Sequence, residues 1–167
     1  PRPQPTCQTQ TSTLIGKSNE SMVLLHGQEA TALIDSGSMI TTMSESFFRS
    51  LPDKPPLQKL DTLLNISVGN GSQLQYLGYV DSHVTVPFIS DCCLPVPVLV
   101  VPDSHLTMSC PAIIGTNVLR PLRTMLHSGS PGSSIPDEWQ LAMDSLDYKS
   151  YMVKACSRKP IAVAPYE

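Results

Sequence analysis

Asp35 is the side chain in this sequence best placed to move a proton. It lies in Leu33-Ile34-Asp35-Ser36-Gly37, where an apolar run ends in a carboxylate, a hydroxyl and a glycine that permits a tight turn. A carboxylate at the end of a buried strand is a group that general acid–base chemistry uses. The tripeptide alone is a weak signal, because an ordinary turn after a strand has the same composition. A second segment sharpens it. Ile113-Ile114-Gly115-Thr116-Asn117-Val118-Leu119 is again an apolar pair running into a glycine, followed by residues suited to a short helix. By itself that is a buried strand leading into a helix, which many folds contain. The two segments in this order, with Asn70-Gly71 between them, form a more restrictive pattern than either alone.

Other groupings carry less. Asp81-Ser82-His83 and Asp103-Ser104-His105 hold the ingredients of a hydrolase, but neighbours on an extended chain point apart, so neither is a triad. His26, His83, His105 and His127 lack metal-ligand spacing, and neither a metal nor a cofactor is expected. Gly16-Lys17-Ser18 lacks the loop that precedes a phosphate-binding lysine, and the sequon Asn65-Ile66-Ser67 has nothing beside it to suggest secretion. Five cysteines (Cys7, Cys92, Cys93, Cys110 and Cys156) are odd in number and without C-x-x-C spacing. They read as reduced, mostly buried thiols of a cytosolic protein.

The elements that must hold Asp35 have a period of two. Met22 to Leu25 and Ala30 to Ile34 flank His26-Gly27-Gln28, which predicts a hairpin. Met39 to Met43 is a further β-prone run. Leu64, Ile66 and Val68 alternate with polar residues up to Gly69-Asn70-Gly71, a strong hairpin signal, and Leu74 and Tyr76 continue beyond it. Val84, Val86 and Phe88 alternate again, and Val96 to Val101 is almost continuously apolar. Two short helices are expected, Ser44 to Arg49 capped by Ser44, and Thr116 to Leu119 stopped by Pro121. Many short strands and few helices predict a mainly β domain, closed or sandwiched.

Composition fits one such domain. Of 167 residues 41% are hydrophobic, enough for a packed core, and the net charge of -3 comes without basic or acidic runs. No nucleic-acid surface is therefore expected. The apolar stretches fall short of the roughly 20 residues a bilayer-crossing helix needs, so no membrane partner is expected either. Proline is abundant at 16 residues, and it divides the chain. Residues 1–13 read as a flexible linker, residues 14–127 as the domain, and residues 128–167 as a Gly/Ser/Pro linker followed by an extension. In that extension a helix is expected over about residues 135–149, with Trp139, Ala142, Met143 and Leu146 on one face.

Over residues 14–127 the sequence resembles the retropepsins, the aspartic proteases of retroviruses and LTR retrotransposons, and most of all those of gypsy-type Gag-Pol polyproteins. Ala32 to Ser38 resembles their catalytic loop, Val68-Gly69-Asn70-Gly71 the tip of their flap hairpin, and Ala112 to Leu119 their strand-glycine-helix signature. The resemblance implies a closed retropepsin-like β-barrel with a flap and one or two short helices, paired as a two-fold homodimer. It implies an aspartic endopeptidase that cleaves its own polyprotein, in the cytoplasm or within virus-like particles. The catalytic pair would be Asp35 from each copy, since two carboxylates about 3 Å apart share one proton, the well-established behaviour of aspartic-protease dyads. Ser36 would lock the two loops together, Gly37 would admit the substrate backbone, and Ser38 would donate to Asp35 or else bond only to loop backbone. Val68, Gly69, Asn70, Gly71 and Ile113 would bind substrate, with Ile114, Gly115 and Asn117 as structural signature. Where many retroviral enzymes carry an Asp–Arg ion pair, Met39 and Thr116 stand here, and an interface strand would fall near Arg123 to Leu126. The alternative is the same fold kept as a catalytically silent dimerisation or binding module. The intact Asp35-Ser36-Gly37 favours the enzyme.

Overall fold

Residues with period-two patterning form strands, and the strands close on themselves. The computed structural model describes residues 16–60, 66–68, 71–128 and 134–152, with 147–152 by backbone alone. Six strands run β1 (Glu20–Leu25), β2 (Gln28–Ile34), β3 (Thr42–Ser44), β4 (Gly78–Thr85), β5 (Leu94–Val101) and β6 (Ala112–Ile114). Their order round the barrel is β1-β2-β6-β3-β5-β4, and β4 returns to β1 through Leu24 opposite Thr85 and Leu25 opposite Val84. Closure removes free sheet edges. Among the described residues four helices decorate it: α1 (Glu45–Ser50), α2 (His105–Ser109), α3 (Thr116–Ser128) and α4 (Asp137–Met152).

The alternation selects the core. Val23 and Leu25 of β1 point inward while Met22 and Leu24 are exposed, and Gly78, Val80, Ser82 and Val84 of β4 alternate in the same way. β1 and β2 meet at His26-Gly27, both in the left-handed region (φ 53 and 76), the backbone a two-residue hairpin loop needs. Leu99, Val100 and Val101 are all buried because β5 there pairs with β3 on one side and β4 on the other while α3 packs against it. A second hairpin projects from the barrel. Val68 N–H donates to the Ser72 carbonyl (2.9 Å) and Leu74 N–H to the Ile66 carbonyl (2.7 Å), with Ser67 opposite Gln73. Its Gly69 and Asn70 lie outside the described residues.

The mainly β barrel with a projecting hairpin agrees with the sequence expectation; the helical content exceeds it. α1 starts as expected, with Ser44 Oγ accepting from Phe47 N–H. α3 does not stop at Pro121. It runs on to Ser128, and Arg123 to Leu126 are helix rather than an interface strand. Proline removes one helical hydrogen bond and crowds the carbonyl four residues back, at a cost of about 3 kcal/mol. Burial of Val118, Leu119 and Leu122 against the barrel offsets that, at about 1.5–3 kcal/mol for each fully buried side chain. α2, absent from the sequence expectation, is one short turn capped by Ser104, whose hydroxyl accepts from Thr107 N–H.

α4 lies across α3 and β2. Trp139, Ala142, Met143 and Leu146 are buried at 0–5% exposure, one stripe at helical spacing. The Trp139 indole packs edge-on against Phe88, with centroids 5.3 Å apart, and donates to Ser21 Oγ at 2.8 Å.

Candidate active site

β2 delivers Asp35 to the point where the barrel wall becomes a loop. The strand ends at Ile34, 2% exposed, whose pairing with Ile114 sets the register between β2 and β6. Asp35 N–H donates to the Ile114 carbonyl (3.0 Å), so the backbone of the acid is still tied to β6. The chain then turns on the carboxylate itself: Gly37 N–H donates to Asp35 Oδ1 at 2.7 Å, and Ser38 N–H to the Asp35 carbonyl at 3.2 Å. A Cβ at position 37 would stand 2.9 Å from Asp35 Oδ1, closer than real Cβ contacts come. Any side chain there displaces the carboxylate.

The loop is clamped to the second motif at a deeper level. Thr116 N–H donates to the Ser38 carbonyl (2.8 Å). Gly115 N–H donates to Thr41 Oγ1 (3.1 Å), and Thr41 in turn gives its hydroxyl (2.7 Å) and its backbone N–H (3.0 Å) to Asn117 Oδ1. Asn117 Nδ2 reaches the Pro97 carbonyl at 3.3 Å. Gly115 lies so close to Ile40 that an added Cβ would meet that residue's backbone at 2.7 Å. Thr41 is fully buried and central to this clamp, yet no feature of Ile40-Thr41-Thr42-Met43 sets it apart in the sequence. Its role comes from Asn117, 76 positions away.

A cleft of about 910 Å³ opens above the loop. Asp35, Gly37, Ser38, Met39 and Ile113 line it from the barrel side, with Ile66, Ser67, Val68 and Leu74 of the hairpin, Pro102 and Asp103 between β5 and α2, and Leu106 of α2. The lining is mainly apolar with a smaller share of polar groups, the make-up of a ligand site. Met39 and Leu106, both exposed, add apolar side chains to its rim.

Of the solved structures, EIAV protease in complex with an inhibitor aligns with a TM-score of 0.51 at 13% identity, over 67% of this chain and 94% of that one. The fold is that of the retropepsin-like proteases. The retroviral protease-like domain of Ddi1 from Leishmania major aligns with a TM-score of 0.45 at 13% identity, covering 65% and 80% of the two chains. A retropepsin-like aspartic protease from Rickettsia conorii gives 0.39 at 10%, covering 60% and 69%. No protein-family model matches the sequence. No curated protein matches it either.

Asp35, Gly37, Ser38, Val68 and Ile113 thus stand round one cleft, while Ile114, Gly115 and Asn117 hold the loop from below. Gly71 closes the hairpin turn, its N–H donating to the Val68 carbonyl (2.8 Å). Two hydroxyls of the loop have partners within the chain, and for Ser38 it is the backbone alternative. Ser38 Oγ donates to the Ile40 carbonyl (2.8 Å), not to Asp35, because the loop curls back and brings that carbonyl nearer. The Ser36 hydroxyl is bonded within its own chain, to Ser145 Oγ of α4. The discarded triads are also accounted for. Asp103 Oδ1 accepts from Ser46 N–H at 3.0 Å, Ser104 caps α2, and Ser82 Oγ lies 3.3 Å from the His26 ring rather than engaging His83.

Proposed function

We propose that this chain is one subunit of a homodimeric aspartic endopeptidase whose active site forms where two Asp35 loops meet. The observation that carries the reading is the position of Asp35: a carboxylate on a loop fixed at both ends, at the wall of a mainly apolar cleft large enough for several residues of an extended peptide. The cleft's other carboxylate, Asp103, is engaged by Ser46 N–H, so among the described residues Asp35 stands alone in this setting, and the chemistry needs two. A two-fold pairing supplies the second at no cost in sequence. In the pair, the ionised Asp35 takes a proton from a water held between the carboxylates while the protonated one donates to the scissile carbonyl. Water attacks directly, and no covalent intermediate forms. Gly37 keeps Oδ1 oriented through its N–H and leaves room for the substrate backbone. The hairpin excludes water from above and offers backbone groups to the peptide. The resemblance in sequence supports a finer reading, in which the substrate is the chain's own gypsy-type Gag-Pol polyprotein and cleavage occurs in the cytoplasm or within virus-like particles.

The test is Asp35→Asn, assayed on the polyprotein with and without a pepstatin-type inhibitor. The variant folds, and cleavage is lost by several orders of magnitude. Wild-type activity falls faster than linearly on dilution. Residual cleavage within about tenfold of wild type, only some 1.4 kcal/mol of barrier, refutes the assignment.

A further inference from the structure

A hydrogen bond joins the Asp35 loop to the last described helix. Ser145 Oγ lies 2.5 Å from Ser36 Oγ and 2.7 Å from the Ala142 carbonyl of its own helix. The bridged residues are 109 positions apart, and both are half-buried. Four buried side chains of α4 hold the helix in that place.

The dimeric reading of the site, on which this inference rests, requires the two Asp35 carboxylates to come about 3 Å apart. Ser36 follows Asp35 directly, about 3.8 Å along the chain trace, so the partner's loop must arrive beside it. α4 is already there. A helix with its side chains is about 10–12 Å across, and it cannot share with a second chain the face whose hydroxyl it touches. We propose that α4 and a second copy of this chain compete for that face. Docked, α4 keeps the chain a monomer with half a site; lifted, it releases Ser36 and lets two copies pair.

Pairing then requires both chains to open, and the apparent dissociation constant is the intrinsic one divided by the square of the open fraction. Ser145→Ala removes one hydrogen bond of ordinary net strength, which raises the open fraction about twofold to tenfold. The dissociation constant therefore falls by the square, about fourfold to 100-fold. Leu146→Glu places a charge in the buried stripe and lowers it further.

Sedimentation velocity on the full chain, over a range of concentrations, measures this for wild type and both variants. Hydrogen exchange on wild type adds a readout without substitution: α4 amides lose protection as concentration drives pairing. A Ser145→Ala protein that dimerises no more tightly than wild type overturns the proposal. So does an α4 whose protection is kept or increased in samples containing dimer. A peptidase assay on the same samples separates the two readings. Variants that pair more tightly but cleave nothing refute the enzyme and uphold the competition; cleavage with unchanged pairing overturns the competition alone.

Discussion

Gly115→Ala tests whether the clamp beneath the loop sets the geometry of Asp35. The added methyl would stand 2.7 Å from both the carbonyl carbon and the oxygen of Ile40, and 2.9 Å from its nitrogen. All three are backbone atoms, so no rotamer change relieves the clash. Either β6 or the loop must recede by about 0.8 Å to reach the roughly 3.5 Å of an ordinary contact. Gly115 N–H is held by Thr41 and Ile114 by Asp35, so the displacement passes to the acid itself. Forcing an extra methyl into a packed site costs about 1–3 kcal/mol, and each kcal/mol lowers Tm by about 2–4 °C for a chain of this size. A misplacement near 1 Å costs about 10²-fold in rate, so kcat/KM should fall far more than stability alone explains. The assay is thermal unfolding together with kcat/KM on one peptide, measured well below Tm. An alanine variant within about 0.5 kcal/mol of wild type in stability and unchanged in kcat/KM refutes the reasoning.

Thr41→Val keeps the shape and removes the hydroxyl. It leaves Gly115 N–H unpaired in the core and destabilises by about 1–3 kcal/mol in urea unfolding, with a loss of peptidase activity that Thr41→Ser largely restores. Burial raises the thiol pKa of Cys92 and of Cys110 above 9.0. Both stay neutral in the fold at a pH where they ionise in the unfolded chain, so their contribution is complete below about pH 9 and is lost as pH rises above it. Unfolding free energy measured from pH 7 to 10 should therefore drop at the alkaline end. Cys92→Ala/Cys110→Ala should flatten the drop, and an unchanged slope would show that other groups cause it.

The barrel was legible because half-buried strands announce themselves by alternation, and the hairpins because His26-Gly27 and Asn70-Gly71 are turn chemistry. Asp35, Ser36 and Gly37 were legible for the same reason, as a turn at the end of an apolar strand. Pro121 misled because it is a local rule, and three buried side chains of α3 outweigh it. α2 has only five residues, too few for any periodicity to register.

The clamp and the α4 contact were hidden for a different reason. Each joins residues that no local pattern connects: the packing of α4 brings Ser145 to Ser36, and strand register assembles the clamp. β3 runs antiparallel to β6 with Thr42 opposite Ile113. One step back along β3 and one step forward along β6 therefore places Thr41 opposite Ile114, beside Gly115. β3 is also parallel to β5, with Thr42 opposite Leu99, which brings Asn117 at the start of α3 within reach of Pro97 as well as Thr41. A chain that slipped this register by one residue would turn Thr41 away from Asn117 and bury a polar pair without partners. The hydroxyl and amide that hold the Asp35 loop are thus also what selects the register, and both depend on a pairing that exists only once the barrel has closed.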